Sequence, residues 1–159
     1  MTGLRMNHDF DFIHGEWTVQ HQRVKRRLAG SDEWEHFGGS ARAWPLLGGQ
    51  GNVDDNVIEL PSGSYRAASL RAWDETARQW AIWWLDGREP ARIEVPVRGA
   101  FDAGVGSFFA DDSFEGRPIR VRFLWIDTTT ANPQWEQAFS TDAGRSWEVN
   151  WKMRFSRLR

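Results

Sequence analysis

The chain has 159 residues, no cysteine, and 20 basic against 22 acidic side chains, for a formal net charge of -2. This length predicts a single domain over residues 1–159 with a sizeable core. The composition excludes disulfides and thiolate zinc sites and argues against a nucleic-acid partner, since the densest basic run, Arg23-Val-Lys-Arg-Arg27, is short and reads as a solvated strand end.

The N-terminal residues lack the apolar core of a secretory leader, and no apolar run reaches membrane-spanning length. We therefore predict a cytoplasmic protein with no membrane association.

Turn signals divide the chain into a short N-terminal turn or helical segment, at residues 9–14, and about ten short strands. The strands are predicted over residues 16–27, 33–44, 53–60, 64–73, 79–85, 91–101, 105–110, 117–127, 133–140 and 146–157. Their connections are mostly short, and no helical periodicity competes with them. Ten twisted strands tend to close and so remove their exposed edges. The fold class predicted is all-β, a single antiparallel up-and-down β-barrel.

Alternation of apolar and polar residues predicts which face of each strand points into the barrel. In strand eight, Ile119, Val121, Phe123 and Trp125 share a face, opposite Arg120 and Arg122. In strand ten, the odd-numbered residues 147–155 are apolar and are predicted to face inward together.

Strand five differs because both of its faces are apolar from Trp80 to Leu85. A terminal segment or a second subunit is needed to cover its outer face, and we slightly favour a homodimer.

The start and end of the chain resemble the calycin (lipocalin-like) arrangement. Gly15-Glu16-Trp17 opens the first strand after a phenylalanine-rich lead-in, and arginines end the last strand. The resemblance implies that Trp17 plugs one end of the barrel, with Arg154 or Arg157 packed across it.

Segments 11–17, 47–49, 65–67, 73–74, 80–87 and 139–151 further resemble a bacterial family of lipocalin-like domains of unknown function. The similarity spans nearly the full length, and it implies the fold without implying an activity.

Haem-binding nitrobindin-type barrels also begin with Gly-x-Trp. They continue with further glycines and Tyr-Pro, where this chain has Thr18-Val19-Gln20-His21, and their proximal histidine comes late in the chain, whereas the last histidine here is His36. We therefore predict neither haem nor any other cofactor.

The segment from Ser140 to Trp147 resembles the Asp-box of sialidases. A single copy predicts a hairpin turn in which Asp142 accepts hydrogen bonds from loop amides and Trp147 packs beneath it. No metal site is predicted, because His8, His14, His21 and His36 lack ligand spacing and only His21 and His36, on adjacent strands, could be brought together.

The candidate site consists of polar and aromatic residues that the alternation places inside the barrel. Strand two is oriented by Trp34 and Trp44, and this turns His36 and Arg42 inward. An apolar cavity with a few convergent polar groups is typical of small-molecule sites. The predicted ligand-binding residues are His21, Trp34, His36, Arg42, Tyr65, Arg71, Trp84, Trp125, Gln137 and Trp151.

Three functions are compatible with this pattern. The first is a binding protein that takes a small apolar or aromatic molecule into the barrel. The second is a cofactor-independent isomerase, cyclase or hydrolase in which His21 or His36 is the general base and arginine stabilises an oxyanion. The third is a filled barrel with a structural or interaction role.

Overall fold

In the computed structural model, which describes residues 7–158, ten antiparallel strands close into one up-and-down β-barrel. The predicted fold class is thereby confirmed. The strands in chain order are β1 (Gly15–Val24), β2 (Trp34–Leu46), β3 (Gly51–Leu60), β4 (Gly63–Asp74), β5 (Gln79–Asp86), β6 (Val97–Asp102), β7 (Val105–Phe114), β8 (Arg117–Ile126), β9 (Gln134–Ser140) and β10 (Glu148–Arg157). Within residues 7–158, helical structure is confined to the 3-10 turns Asp11–Ile13 and Leu47–Gly49, and no helix is long and apolar enough to cross a membrane.

Each strand pairs with its neighbours in the chain, and β1 closes the barrel against β10. Local backbone preferences favour these hairpins. At Ala103-Gly104 and Glu115-Gly116, both residues of each pair have positive φ, between 49° and 81°. Consecutive positive φ angles are typical of two-residue hairpin turns, whose twist matches that of the strands they join.

One end of the barrel is closed by the N-terminal segment and the last strand. The 3-10 turn Asp11–Ile13 lies across this end, and the indole of Trp17 donates to the carbonyl of Ile13 at 2.8 Å. The guanidinium of Arg157 lies 4.1 Å from the ring centre of Trp17 and donates to the carbonyl of His14 at 2.7 Å. This is the closure that the calycin resemblance implied, and Arg157 rather than Arg154 provides it.

Aromatic side chains fill the closed half of the barrel. Phe10 is 1% exposed, and its ring meets Trp80 and Phe101 edge to face at 4.9 and 5.0 Å, with Phe108 stacked at 6.0 Å. Edge-to-face contacts of this kind add to the hydrophobic gain of burying the rings. Phe10 is thus enclosed by aromatic rings, and a separate space of about 330 Å³ lies beside it, lined by Pro45, Asn52 and Trp80.

The predicted inward face of strand two is wrong by one residue. His36, Ser40 and Arg42 are exposed, whereas Ala41 and Ala43 are buried. The register pairs Trp17 with Ala41 and so places that alanine inside. Gly39 lies near Ala41 and Ala43 on the same strand, and a Cβ atom on it would lie 3.1 Å from Nε2 of His21. Little space is therefore left for a side chain at that position. The large Trp34 and Trp44 consequently lie on the outside.

Strand ten changes face at a β-bulge. The register shifts between Val149 and Trp151, and Asn150 lies at the shift, fully buried. Trp151, Met153 and Phe155 are buried as predicted, but Trp147 lies outside, 4.6 Å beneath the guanidinium of Arg122. An extra residue in one strand reverses the alternation on either side of it.

Strand six is shorter than the predicted 91–101. Ile93 and Val95 are 65% and 51% exposed, and β6 begins only at Val97. Residues 87–96 form a loop that is attached to β5 by the bridge Leu85–Ile93 and by a hydrogen bond from the amide of Glu94 to the carbonyl of Trp84. Ile93 and Val95 thus belong to a loop at the open end, and only Val97 lies in β6.

The turn around Asp142 and the glycine loop at residues 48–51 lie at opposite ends of the barrel. The carboxylate of Asp142 accepts the amide of Ser146 at 2.8 Å and its hydroxyl at 2.5 Å, and these bonds hold the pKa of Asp142 well below its usual range. The single Asp-box copy is therefore the predicted hairpin turn. The glycine loop at residues 48–51 lies at the closed end, because β2 runs from the open end to the closed end.

The outer side of β5 belongs to a row of apolar residues across four strands. Trp44 pairs with Val53, Val53 with Leu70, and Leu70 with Trp83. Trp83 is half-buried, and Leu70 is 43% exposed. Coverage of this row by a second subunit stays a prediction.

Candidate ligand-binding site

The open half of the barrel contains a cavity of about 320 Å³. It lies between the ends of strands opposite the Trp17–Arg157 closure. The aliphatic and aromatic part of its wall comprises Tyr65, Ile82, Trp84, Val95, Val97, Ala110, Phe114, Ile119, Val121, Phe123, Trp135, Phe139 and Trp151.

The aromatic rings of this wall hold one another in place. Trp151 meets Trp84 and Trp135 edge to face, at 5.8 and 5.5 Å with interplanar angles of 86° and 88°. Phe123 meets Trp135 in the same way at 5.0 Å. Because Trp151 contacts Trp135 on the next strand and Trp84 across the barrel, the cavity has a preformed aromatic wall.

Three arginines lie at the rim of the cavity, and two of them contact Tyr65. Arg88 lies over the ring of Tyr65 at 3.8 Å from its centre, and Arg23 donates to the Tyr65 hydroxyl at 3.4 Å. Arg27 reaches the same rim from the loop after β1 and rests against Phe139 and Phe114, at 5.8 and 6.0 Å. Flat guanidinium groups stack readily on aromatic faces, so the rim combines charge with an apolar surface.

The three arginines differ in their carboxylate partners. Arg88 is paired with Asp86 at 2.8 Å, and Arg23 lies 3.5 Å from Glu35. Among the described residues, Arg27 has no carboxylate within ion-pair distance and no hydrogen-bond partner for its guanidinium. Burial, followed by the nearby charge of Arg23, lowers the pKa of Arg27. Arg27 is therefore a half-buried cation without a carboxylate in direct contact, and Glu148, farther away, is the carboxylate whose charge acts against the lowering of its pKa.

Acidic residues lie on another part of the wall. Glu94, in the loop at residues 87–96, and Asp112, in β7, both line the cavity. Partial burial raises the pKa of Glu94, and the charge of Asp112 adds to the effect. The two carboxylates are therefore close enough to repel each other.

Below the cavity, β3 and β4 place a polar network inside the barrel. Asp54 and Arg71 form a buried ion pair, and the guanidinium also donates to Oδ1 of Asn52 at 2.7 Å. Oδ1 of Asp54 accepts from Asn56 at 2.5 Å and from the Ser69 amide at 3.2 Å. The inner face of β3 is thus the face of Asn52, Asp54 and Asn56. Such multiple bonds are what allow charges to be buried.

A void of about 20 Å³ separates this network from the larger cavity. Ile82, Trp84, Phe123 and Trp135 line both spaces. Nε of Arg71 and Nε1 of Trp125 are buried there without a hydrogen-bond partner. A space of this size holds about one water molecule, which would satisfy these donors.

His21 lies in the wall between β2 and β10 and does not line the cavity. Its Nδ1 accepts the indole N–H of Trp151 at 3.0 Å, and its ring stacks on Phe37 at 4.8 Å. Burial, followed by the charge of Arg23, lowers the pKa of His21 to about 4. The imidazole is therefore neutral at pH 7, with one nitrogen already in use.

The structure brings together some of the predicted ligand-binding residues and separates others. Tyr65, Trp84, Gln137 and Trp151 line the cavity, and Arg71 and Trp125 border the void beneath it. The interior positions predicted for Trp34, His36 and Arg42 are wrong. His36 and Arg42 are exposed on the outer surface, and Trp34 lies outside with the amino group of Lys152 at 5.4 Å from its ring.

Arg27 and Arg88 lie at the rim but were not among the predicted ligand-binding residues. A signal was present for Arg27: if Gly15-Glu16-Trp17 marks the closed end, the far end of the same strand must lie at the open end. Arg88 carries no such signal, because its loop had been assigned partly to strand six. Its position depends on Asp86, whose own pKa is lowered by the bonds from Arg88.

The fold and the site define this chain as a closed antiparallel β-barrel with an aromatic interior, consistent with a lipocalin-like fold. When the sequence is compared with known protein families and with curated proteins, it matches no family model and no curated protein.

Proposed function

We propose that this barrel binds a small apolar or aromatic molecule in the cavity at its open end. The observation that carries the proposal is the cavity of about 320 Å³, whose wall contains tryptophan and phenylalanine rings in edge-to-face contact with one another. Small-molecule sites begin at about 300 Å³ and are built of apolar walls with a few polar groups. Tyr65, Gln137 and the rim arginines supply those groups here.

We further propose that the protein is a cytoplasmic member of the bacterial lipocalin-like family that its sequence resembles. The contact of Arg157 with Trp17 supports the lipocalin-like assignment. The geometry favours binding over the other two functions. His36 lies outside the barrel, and His21 does not line the cavity, so neither is positioned as a general base there. The cavity at the open end argues against a barrel that is filled throughout.

Tryptophan fluorescence tests the proposal directly, because eleven tryptophans report on the barrel. The probe is N-phenyl-1-naphthylamine, which is neutral and aromatic. We expect saturable quenching with a dissociation constant in the micromolar range, and weaker quenching after Trp84→Leu.

A variant that fills the cavity sharpens the test. Ala110→Phe adds a ring where Ala110 lines the wall, and we expect it to weaken binding at least tenfold. Ala77→Phe makes the same change in an exposed turn at the closed end and should leave binding unaltered. Equal affinity in both variants, or no saturable quenching in the wild type, would contradict the proposal.

A further inference from the structure

The rim of the cavity carries a positive charge for which the described residues provide no carboxylate within 4 Å, although the charge of Glu148 acts on it from farther away. Arg27 is half-buried between the rings of Phe114 and Phe139, and its charge is held near those of Arg23 and Arg88. Leaving a desolvated cation unpaired is costly. An anion at this point would relieve both the desolvation of Arg27 and its repulsion by the other two arginines.

The approach to the rim is also cationic. A groove of about 550 Å³ leads over the outside of the barrel to Arg23, Arg27 and Arg88. Five basic side chains and two carboxylates line it: Arg23, Lys25, Arg26, Arg27 and Arg88, with Glu35 and Glu115. A concave surface of one dominant sign attracts a ligand of the opposite charge.

The anion position and the apolar cavity form one continuous site. Phe114 and Phe139 contact Arg27 on one side and line the cavity on the other. Glu94 and Asp112 line another part of the cavity wall. Asp86 is paired with Arg88, and Glu115 lines both the cavity and the groove. A ligand whose anionic group rests on Arg27 would place its apolar body against the tryptophan wall.

We propose that the ligand is an amphipathic anion, an aromatic or short aliphatic body bearing one carboxylate, sulfonate or phosphate, with that group bound by Arg27 between Arg23 and Arg88. This inference rests on the proposed function and specifies its ligand class. Arginine binds such groups through paired, charge-assisted hydrogen bonds. The aromatic cavity supplies affinity, and Arg27 supplies the selection for charge.

Two probes that differ only in the anion test it. The probe 1-anilinonaphthalene-8-sulfonate is N-phenyl-1-naphthylamine with a sulfonate added. We expect the wild-type protein to bind the sulfonate about tenfold or more tightly than the neutral probe. Arg27→Gln should abolish that preference while changing the affinity for the neutral probe less than threefold, and Arg27→Lys should retain part of it.

Arg78→Gln is the matched control, because Arg78 also rests on an aromatic ring, Trp73 at 5.7 Å, but is exposed at the closed end. It should leave both affinities unaltered. Urea unfolding midpoints verify that each variant is folded, and Arg88→Gln, which should also weaken the preference, replaces Arg27→Gln if that variant unfolds.

The outcomes separate the two proposals. Saturable binding of the neutral probe without a preference for the sulfonate, or a preference that survives both Arg27→Gln and Arg88→Gln, overturns the inference and leaves the proposed function standing. If neither probe shows saturable binding, both the inference and the proposed function are overturned.

Discussion

His21 illustrates how one buried side chain couples this fold to pH. It is 3% exposed, and its Nδ1 accepts a hydrogen bond from Trp151, so the folded protein holds it in the neutral form. Burial lowers its pKa from 6.5 to about 4. Above pH 6.5 the imidazole is neutral in both the folded and unfolded states, and it contributes no pH dependence. Between pH 6.5 and pH 4, His21 binds a proton in the unfolded state but not in the folded state. The free energy of unfolding therefore falls as the pH falls.

Replacing His21 by glutamine should therefore flatten the acid side of the stability profile. Between pH 7 and pH 4 we expect the free energy of unfolding of the wild type to fall by about 3 kcal/mol more than that of His21→Gln. Urea unfolding at a series of pH values measures this difference. Glutamine retains an acceptor for Trp151, so the variant should fold.

His36→Gln serves as the control, because His36 is exposed, and its profile should parallel that of the wild type. A His21→Gln profile that also parallels the wild type would show that His21 titrates in the folded barrel near its ordinary pKa.

At the scale of the elements, β3 and β4 are joined by their inner faces as well as by their backbones. The ion pair of Asp54 with Arg71 links the two strands inside the barrel, and Asn52 holds the same guanidinium. Removing one partner of a buried pair leaves an unpaired charge, which is costlier than removing both.

We expect Asp54→Asn to lower the free energy of unfolding by about 3–5 kcal/mol, because it leaves Arg71 buried without its counter-charge. The double variant Asp54→Asn with Arg71→Met should recover part of that loss. Denaturant unfolding of both single variants and the double variant gives the coupling energy. Strictly additive losses would show that the two side chains act independently.

The whole molecule has two ends with different packing. Phe10 and its aromatic neighbours pack together at the closed end, with a space of about 330 Å³ beside them, whereas the open end holds the cavity with the tryptophan wall. Stability and ligand binding are therefore expected to reside in different halves of one barrel.

Phe10→Ala tests this division. Removing a fully buried phenylalanine typically lowers the free energy of unfolding by about 3–5 kcal/mol, and we expect a loss in that range with the affinity for N-phenyl-1-naphthylamine changed less than threefold. Calorimetry and fluorescence titration on the same sample measure the two quantities. Leu47→Ala, at a side chain 68% exposed, should change neither. A large loss of affinity in Phe10→Ala would mean that the two halves do not act separately.

Part of the wall of the site was predictable, because apolar and polar residues alternate cleanly in β8. Ile119, Val121 and Phe123 are buried as their spacing predicts, and each has a polar neighbour in sequence that faces outward. The rim arginines were largely not predictable. Their importance depends on which charges lie nearby across the open end, and those neighbours come from β1, β4 and the loop at residues 87–96.

The sequence by itself determined the number and order of the strands, the up-and-down connections and the closed end marked by Trp17. The strands and their connections follow from turn residues and from a period of two, which are properties of adjacent residues, whereas the closed end at Trp17 was implied by the calycin resemblance. Tertiary structure alone decided the face of β2, the bulge at Asn150 and the inward polar face of β3. Those features depend on how neighbouring strands are paired. Ala41 faces inward because it is paired with the inward-facing Trp17, and Gly39 has no room for a side chain because Nε2 of His21 lies beside it. Only closure of the barrel brings such distant residues together.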